Sequence, residues 1–537
     1  MRRQSELIQT GQRARLLLSR HRWRCSQIAH IAGYAWVIHP IPGFTDARYA
    51  LLLAGTCFAE LMLSDVVPTL VQMEWTGTFE VPGSGVRAGG RLTIDSGQST
   101  LTTFGSLAGE DGLPVLADPW RDEDVEKIPM VWGVSEDGSR LTLLELTSLG
   151  GNLSWPGEWT TRQQWICECA IGGHIEPVQP VTFSSIAFGL SDLSAWLGTP
   201  RPEEKRTIKP HRLDLSVVTH EMAEFEHGDV TIHFDGSFGT RSGFDSITVD
   251  YPARITASTS VELTWQELVN RAATPIEVLL WVATGRFSAL DDLRVRLDGP
   301  HPVYERLWVS LLLPRRFEPP RRRLVGNEVL FLADEIPGGL EAGLHSWFDI
   351  WGDIRPAFGP VIARYRAPFS YANDRFHSAV AALESYSTSK HGKRALSKGE
   401  RNRRVELVRK SLDISAPDLT DWVLEALEQA HYHTLRSRLE RLLDEAGAIG
   451  DALVGDDMNG FISAIVKARD AYAHSAPIVG GVEGGAALHW AAEGLNWLLR
   501  YYALIEIGFG KEPATERVVN NNTFVQVTER LREAVAH

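Results

Sequence analysis

The spacing of hydrophobic residues changes along this chain from a period of two to a period of three and four. Between residues 73 and about 300, short alternating stretches end at Gly, Pro or Asp, as at 75–83 and in a predicted hairpin at 89–105, a pattern typical of β-strands. After residues 337–339, hydrophobic residues recur every three or four positions, which is typical of amphipathic helices. The chain is therefore predicted to be an α+β multidomain protein, with a β-rich sandwich or barrel-like module followed by an all-α helical bundle.

Two helices are predicted to be inserted in the β-rich region, at 265–272 and 275–284. Thr264 and Glu267 have the spacing of a capping box, in which two side chains satisfy backbone groups at the start of a helix. The second helix is apolar on nearly all sides, so we expect it to be buried.

These patterns divide the chain into four segments: a basic N-terminal extension at 1–72, the β-rich domain at 73–300, a linker with bridging helices at 301–370, and the helical domain at 371–537. The extension contains seven Arg before residue 25. It is interpreted either as an addition outside the folded protein, such as an upstream start codon produces, or as a basic arm that contacts nucleic acid. Its most apolar run, 50–62, is too short to cross a bilayer, so we expect no contact with a membrane.

Composition and charge restrict the partners that the protein can have. The 537 residues are 44% hydrophobic and 23% charged, which is ordinary for a soluble globular protein. A net charge of −14 gives no general attraction to nucleic acid, so RNA binding requires a local basic patch. Four Cys argue against a disulfide scaffold and fit a reducing cytoplasm.

Cys167, Cys169 and His174 are spaced closely enough to suggest a metal site. Structural zinc takes four ligands, and no second Cys pair lies near this one. We therefore favour ordinary buried thiols over a metal site at this position.

Candidate chemistry lies at the end of a helix predicted to begin at residue 458. Arg469 and His474 are separated by four residues, Asp470 directly follows the Arg, and Pro477 ends the helical pattern. A His can take or give a proton near neutral pH, and an Arg presents donors that match phosphate oxygens. Asp470 can orient either group by hydrogen bonding. This set suits RNA cleavage without a metal or other cofactor, whereas the alternative is a surface Arg and a His that interacts with the helix dipole.

Residues 469–474, Arg-Asp-Ala-Tyr-Ala-His, resemble the motif of HEPN-domain ribonucleases, in which a polar residue follows the Arg and four to six residues separate Arg from His. The layout of a β-rich front half and a C-terminal helical unit resembles the ApeA-like group of antiphage defence proteins. The order of a Trp, a strand, Pro-Gly and a second strand at 75–94, together with Leu383-Glu384, is also similar to that group.

The resemblance implies a metal-independent endoribonuclease in the cytoplasm, with Arg469, Asp470 and His474 as its catalytic residues. It also implies a homodimer or higher assembly with the motif at the interface, RNA such as tRNA as the substrate, and a phage-derived trigger sensed by the front half. The alternative is a catalytically silent HEPN module for dimerisation or RNA binding, with a β-rich front half that binds a ligand.

The segment 390–410 is strongly basic within an acidic chain, so it is the candidate track for the RNA backbone. A solvated helix face is the alternative. The segment 419–445 is predicted to be one long helix that carries His431 and His433 on its surface. The residues proposed to bind RNA are Lys390, Lys393, Arg394, Lys398, Arg401, Arg403 and Arg404.

Overall fold

The structure is a computed structural model that describes residues 73–535 with gaps. The extension 1–72 lies outside the described residues, and so does His474. The gaps are 96–97, 108–126, 155–159, 178–179, 199–202, 208–211, 217–222, 237–238, 243–246, 251, 299–305, 314–323, 325–327, 367–369, 428–430, 474–481 and 483.

The first six strands form a closed antiparallel barrel in the order β6-β3-β2-β1-β4-β5, with β5 pairing back to β6. Alternate residues point inward, and Phe79, Leu92, Val131 and Trp165 are buried in the barrel interior. The barrel-like prediction is therefore confirmed. The strands are β1 (Met73–Glu80), β2 (Arg87–Ile94), β3 (Ser99–Phe104), β4 (Lys127–Ser135), β5 (Arg140–Ser154) and β6 (Thr160–Gly172).

An open sheet continues from β6 in the order β16-β15-β7-β14-β11-β10, and two separate hairpins pair β8 with β9 and β12 with β13. Residues 306–312, which were predicted to belong to a linker, form the strand that joins this sheet to the barrel. The strands are β7 (Phe183–Leu190), β8 (Glu203–Thr207), β9 (Arg212–Ser216), β10 (Ala223–His227), β11 (Val230–Gly236), β12 (Gly239–Ser242), β13 (Ile247–Asp250), β14 (Ala253–Leu263), β15 (Leu290–Asp298) and β16 (Arg306–Leu312).

In the described part of this region, three α-helices are inserted among the strands: α1 (Leu193–Trp196), α2 (Trp265–Leu268) and α3 (Thr274–Thr284). The capping box predicted at Thr264 and Glu267 is present at the start of α2. A single π-helical turn joins α2 to α3. Every residue of helix α3 after Thr274 is buried, as its apolar composition predicted.

The C-terminal half is helical, as predicted. Its helices are α4 (Gly339–Arg366), α5 (Ala372–His391), α6 (Lys398–Ser415), α7 (Thr420–Leu427), α8 (Leu435–Ala446), α9 (Ala448–Val454), α10 (Met458–Ala473), α11 (Gly484–Ile507), α12 (Lys511–Val519) and α13 (Asn522–Val535).

The prediction of one long helix at 419–445 is wrong, because the structure has two separate helices there, α7 and α8. Residues 431–433 are extended and bond to residues 393–395, and the next helix starts afresh at Thr434, whose side chain caps it by accepting from the Ser437 amide. His431 is buried rather than placed on a helix surface. Backbone pairing across a separation of almost 40 residues has replaced local helix formation here, and the local pattern could not indicate it.

The helical half is mounted on buried helix α3. The indole of Trp347 in α4 donates to the Pro275 carbonyl at 3.0 Å, and Nε of Arg500 in α11 donates to the Val282 carbonyl at 2.9 Å. One hydrophobic core extends from the open sheet through α3 and α4 into the helical bundle. The two halves therefore share a core.

Candidate active site

Helix α10 carries the Arg-Asp pair in its last turn and a half. Phe461, Ile462, Ile465 and Ala468 are buried along one stripe, where α10 packs against α5, α8 and α9. Arg469 lies between the buried residues Ala468 and Ala471 and is itself partly exposed, so its side chain leaves the helix at the edge of the core. The helix ends at Ala473, so that position 474 follows directly after its last residue.

The guanidinium of Arg469 is held between two carboxylates. Its Nη2 lies 3.5 Å from Oε2 of Glu384 on α5, and its Nη1 lies 3.0 Å from Oδ1 of Asp470. Nε of Arg469 is buried and has no hydrogen-bond partner among the described residues. The side chain is 33% exposed, so the planar donor group is oriented by protein contacts and still reaches solvent.

Tyr472 in the last turn of α10 contacts two residues near the start of α5, Asp374 and His377. The Tyr472 hydroxyl donates to Oδ1 of Asp374 at 2.6 Å, and this bond raises the pKa of Tyr472. The Tyr472 ring lies 5.1 Å from the His377 ring. Nδ1 of His377 is buried without a partner in the described part of the chain.

The sequence patterns did not single out Glu384 or His377 as site residues. Asp374, His377 and Glu384 stand three and seven positions apart on α5, a spacing that puts them on one helix face. That face was a usable signal, but the contact of Glu384 with Arg469 spans 85 positions and depends on how α5 packs against α10.

The basic residues predicted to bind RNA are spread over three elements. Lys390 in α5 is paired with Glu506 at 2.6 Å, and Nζ of Lys393 lies 4.8 Å from the Tyr432 ring centroid. Arg394 pairs with Tyr432 through a backbone bridge. Lys398, Arg401, Arg403 and Arg404 lie on α6.

Two of the four α6 residues in this set, Arg403 and Arg404, already form ion pairs within the helix. Arg403 and Arg404 both bind Glu400, at 2.8 and 2.7 Å, and they lower the pKa of that carboxyl to about 2. Helix α6 packs against α7 and against the short turn that joins α6 to α7, whereas α10 packs against α5, α8 and α9. The basic helix and the motif helix are therefore not packing neighbours.

Cys167 and Cys169 are free, buried thiols on β6. Burial raises the pKa of Cys167 to about 12 and raises that of Cys169 well above its usual value. Nε2 of His174 lies 3.1 Å from the Gly133 carbonyl, and its ring stacks on Trp132. Among the described residues, no group of three or more His, Cys, Asp or Glu is arranged to hold a metal ion.

The helical domain, which carries an Arg at the end of a core helix, follows a β-rich unit that contains a barrel, and the family comparison assigns this helical domain to the HEPN class. The chain belongs to the ApeA family: the family model for ApeA N-terminal domain 1 matches residues 74–347, and that for Apea-like HEPN matches residues 377–513. The resemblance to the ApeA-like group is thus confirmed. Neither the curated proteins nor the solved structures gave a match. In the described ranges, no helix is both long and apolar enough to cross a membrane.

Proposed function

We propose that this protein is a metal-independent endoribonuclease of antiphage defence. HEPN domains are usually ribonucleases, and the chain has an ApeA-like HEPN domain. The observation that supports the activity most is the Arg469 guanidinium, which two carboxylates orient at the solvent-facing end of α10. In sequence, His474 follows directly after the end of that helix.

The reaction needs a base, an acid and a positive charge. The 2′-hydroxyl loses its proton, its oxygen attacks the adjacent phosphorus, the bond from phosphorus to the 5′-oxygen breaks, and that oxygen takes up a proton. His474 exchanges these protons, and Arg469 stabilises the negative charge that grows on the phosphorane oxygens. Glu384 and Asp470 act as positioning residues that hold the guanidinium plane. The products are a 2′,3′-cyclic phosphate end and a 5′-hydroxyl end.

Two copies of the motif make the site more complete than one. A two-fold dimer with both motifs at its interface supplies two Arg and two His, so one His can act as base while the other acts as acid. The β-rich unit shares a core with the helical domain, which gives it a physical route for restraining or releasing the nuclease. A phage-derived trigger bound there would start RNA degradation in the cytoplasm and arrest the infected cell.

The test is incubation of the purified full-length protein with tRNA in the presence of a chelator. We expect cleavage products that end in a 2′,3′-cyclic phosphate, and we expect Arg469→Ala and His474→Ala to lose cleavage while keeping the wild-type circular dichroism spectrum. Arg530→Ala, which changes an exposed Arg of α13 that pairs with Glu533 on the same helix, is the matched control and stays active. Full activity in the Arg469 and His474 variants removes both residues from the mechanism.

The carboxylate contacts of Arg469 favour a second candidate, a catalytically silent module that binds RNA or forms dimers. In this reading Glu384 and Asp470 neutralise the guanidinium permanently, and the β-rich unit binds a ligand. The same assay separates the two functions, because a silent module retains intact tRNA and produces no cyclic phosphate ends.

A further inference from the structure

Tyr472 is an aromatic residue in the last turn of α10, three positions after Arg469. Residues three positions apart on a helix are neighbours on its surface, so the Tyr472 side chain lies next to the Arg469 side chain. Tyr472 is 36% exposed, whereas Ala468, one turn earlier, is fully buried. Helix α10 therefore leaves the core at this point, and a large ring stays in contact with solvent beside the candidate site.

The Tyr472 ring is held in a fixed orientation by two residues of α5. Its hydroxyl donates to Oδ1 of Asp374 at 2.6 Å, and its ring centroid lies 5.1 Å from that of His377, with 32° between the two planes. A side chain that is already ordered in this way loses little conformational entropy when a ligand packs against it. The exposed part of the ring is therefore a preorganised binding surface.

The surface around the Tyr472 ring carries a second exposed ring and a positive charge. Tyr371, the N-cap residue of α5, is 81% exposed, and these two are the exposed Tyr in the part of the chain that the structure describes. Nε of Arg364 on α4 donates to the Ser378 hydroxyl at 3.3 Å. The bond to Asp374 raises the pKa of Tyr472 and the charge of Arg364 opposes that rise, so Arg364 is within electrostatic reach of the phenol. Aromatic rings next to Arg side chains are typical of surfaces that bind single-stranded nucleic acid.

Helix α5 gives the distance between this ring and the Arg469 guanidinium. Glu384 contacts Arg469, and His377, which contacts Tyr472, stands seven positions earlier on the same helix. At 1.5 Å per residue, the two contacts are about 10 Å apart along the helix axis. A phosphate at Arg469 and the base of an adjacent nucleotide at Tyr472 can therefore be bound together, if that base has left its helical stack.

We propose that the exposed ring of Tyr472 is a stacking platform for an unpaired nucleobase next to the phosphate that Arg469 binds. The substrate class is then single-stranded RNA or RNA loops, because a paired base keeps its faces inside the duplex stack and cannot lie on a side chain. This inference rests on the proposed RNA substrate and adds a specificity-determining residue to the site. A structural role for Tyr472, fixing the end of α10 on α5, needs its hydroxyl and not its ring face, so the two roles can be separated.

Equilibrium binding of a 2′-O-methyl RNA strand tests the platform in full-length protein, because this strand cannot be cut through its 2′-oxygen. We expect Tyr472→Leu to bind the single strand about tenfold more weakly than wild type, as for the loss of one base–aromatic stack. Its affinity for the duplex of the same sequence should be unchanged. Tyr472→Phe keeps the ring and should bind the single strand within about threefold of wild type. The matched control is Phe104→Leu, which removes a ring that is 58% exposed on β3 of the barrel and should change neither affinity.

Three results would overturn the platform. The first is wild-type affinity of Tyr472→Leu for the single strand. The second is an equal loss of affinity for single strand and duplex, which would show that the substitution disturbs the fold around Arg469. The third is a loss in Tyr472→Phe as large as that in Tyr472→Leu, which would assign Tyr472 to fixing α10 through its hydroxyl.

Cleavage of an unmodified strand is scored separately, so that the platform and the nuclease can fail independently. A wild-type protein that binds the single strand through Tyr472 but leaves the unmodified strand intact refutes the nuclease and supports the platform. A wild-type protein that cleaves the strand, together with a Tyr472→Leu variant of unchanged affinity, refutes the platform alone.

Discussion

Arg500 offers a sharp test of how the helical domain is held on the β-rich unit. Its guanidinium is buried in α11, donates through Nε to the Val282 carbonyl at 2.9 Å, and lies 3.9 Å from the Trp497 ring centroid. Burial lowers the pKa of Arg500 to about 10. Measured against the usual value of 12.5, this corresponds to a cost of about 3 kcal/mol for keeping the charged form inside the fold.

Replacing Arg500 by Met removes that cost together with the contacts that offset it. A hydrogen bond from a charged donor contributes about 1.5–3 kcal/mol, a desolvated cation–π contact contributes about 2 kcal/mol, and an orphaned carbonyl costs about 1–3 kcal/mol. The Val282 carbonyl loses its Arg500 donor in the variant. The losses exceed the recovered desolvation cost, so we expect Arg500→Met to lower the free energy of unfolding by about 1.5–5 kcal/mol.

Urea unfolding followed by tryptophan fluorescence gives this free energy, and hydrogen exchange of the peptide that contains Val282 shows where the loosening occurs. Exchange is expected to rise at the C-terminal end of α3 first. Arg530→Met, at an exposed position of α13, is the control and should change stability by less than about 0.5 kcal/mol. A variant as stable as wild type, with unchanged exchange in α3, would refute the idea that Arg500 fastens the two halves together.

Two further predictions concern the candidate site and the barrel. Glu384→Gln removes a charge that orients Arg469, and a charge-assisted contact of this kind contributes about 1.5–3 kcal/mol. The single-turnover rate of RNA cleavage should therefore fall about tenfold, with little change in RNA affinity. An equal fall in affinity would contradict a positioning role. Since burial raises the pKa of Cys167 to about 12, its thiol stays protonated at pH 8, and iodoacetamide should label the Cys167 peptide only after unfolding. Rapid labelling of the native protein would contradict the burial of this thiol. The native state also holds the thiol proton more tightly than the unfolded state, whose Cys has a pKa near 9.0. The free energy of unfolding should therefore fall between pH 9 and about 12, and it should fall less steeply in Cys167→Ala.

Short-range features of this fold were accessible from the sequence. The capping box of Thr264 and Glu267 acts over three positions, and the apolar stripe of α10 follows from the helix repeat alone. The spacing of Glu400 with Arg403 and Arg404, three and four positions on a helix, also predicts their pairing. These two Arg are therefore less available to an RNA backbone than the net charge of the segment suggests.

Features that depend on distant contacts were not accessible in the same way. Closure of the barrel by β5 and β6 depends on register between strands, and the contact of Glu384 with Arg469 depends on the packing of two helices. The backbone pairing of residues 431–433 with residues 393–395 replaces a helix that the local pattern favoured. The site could thus be anticipated as an Arg at a helix end, while its positioning carboxylate on α5 could not.

Cleavage of a short RNA by the full-length protein in excess chelator, compared with the same strand carrying 2′-O-methyl riboses, tests the central claim most directly. We predict that wild type cuts only the RNA with free 2′-hydroxyls, and that Arg469→Ala slows this cut by about 10²-fold or more, as expected for loss of a donor to a developing oxyanion. Cleavage of the methylated strand, or an unchanged rate in Arg469→Ala, would contradict the account.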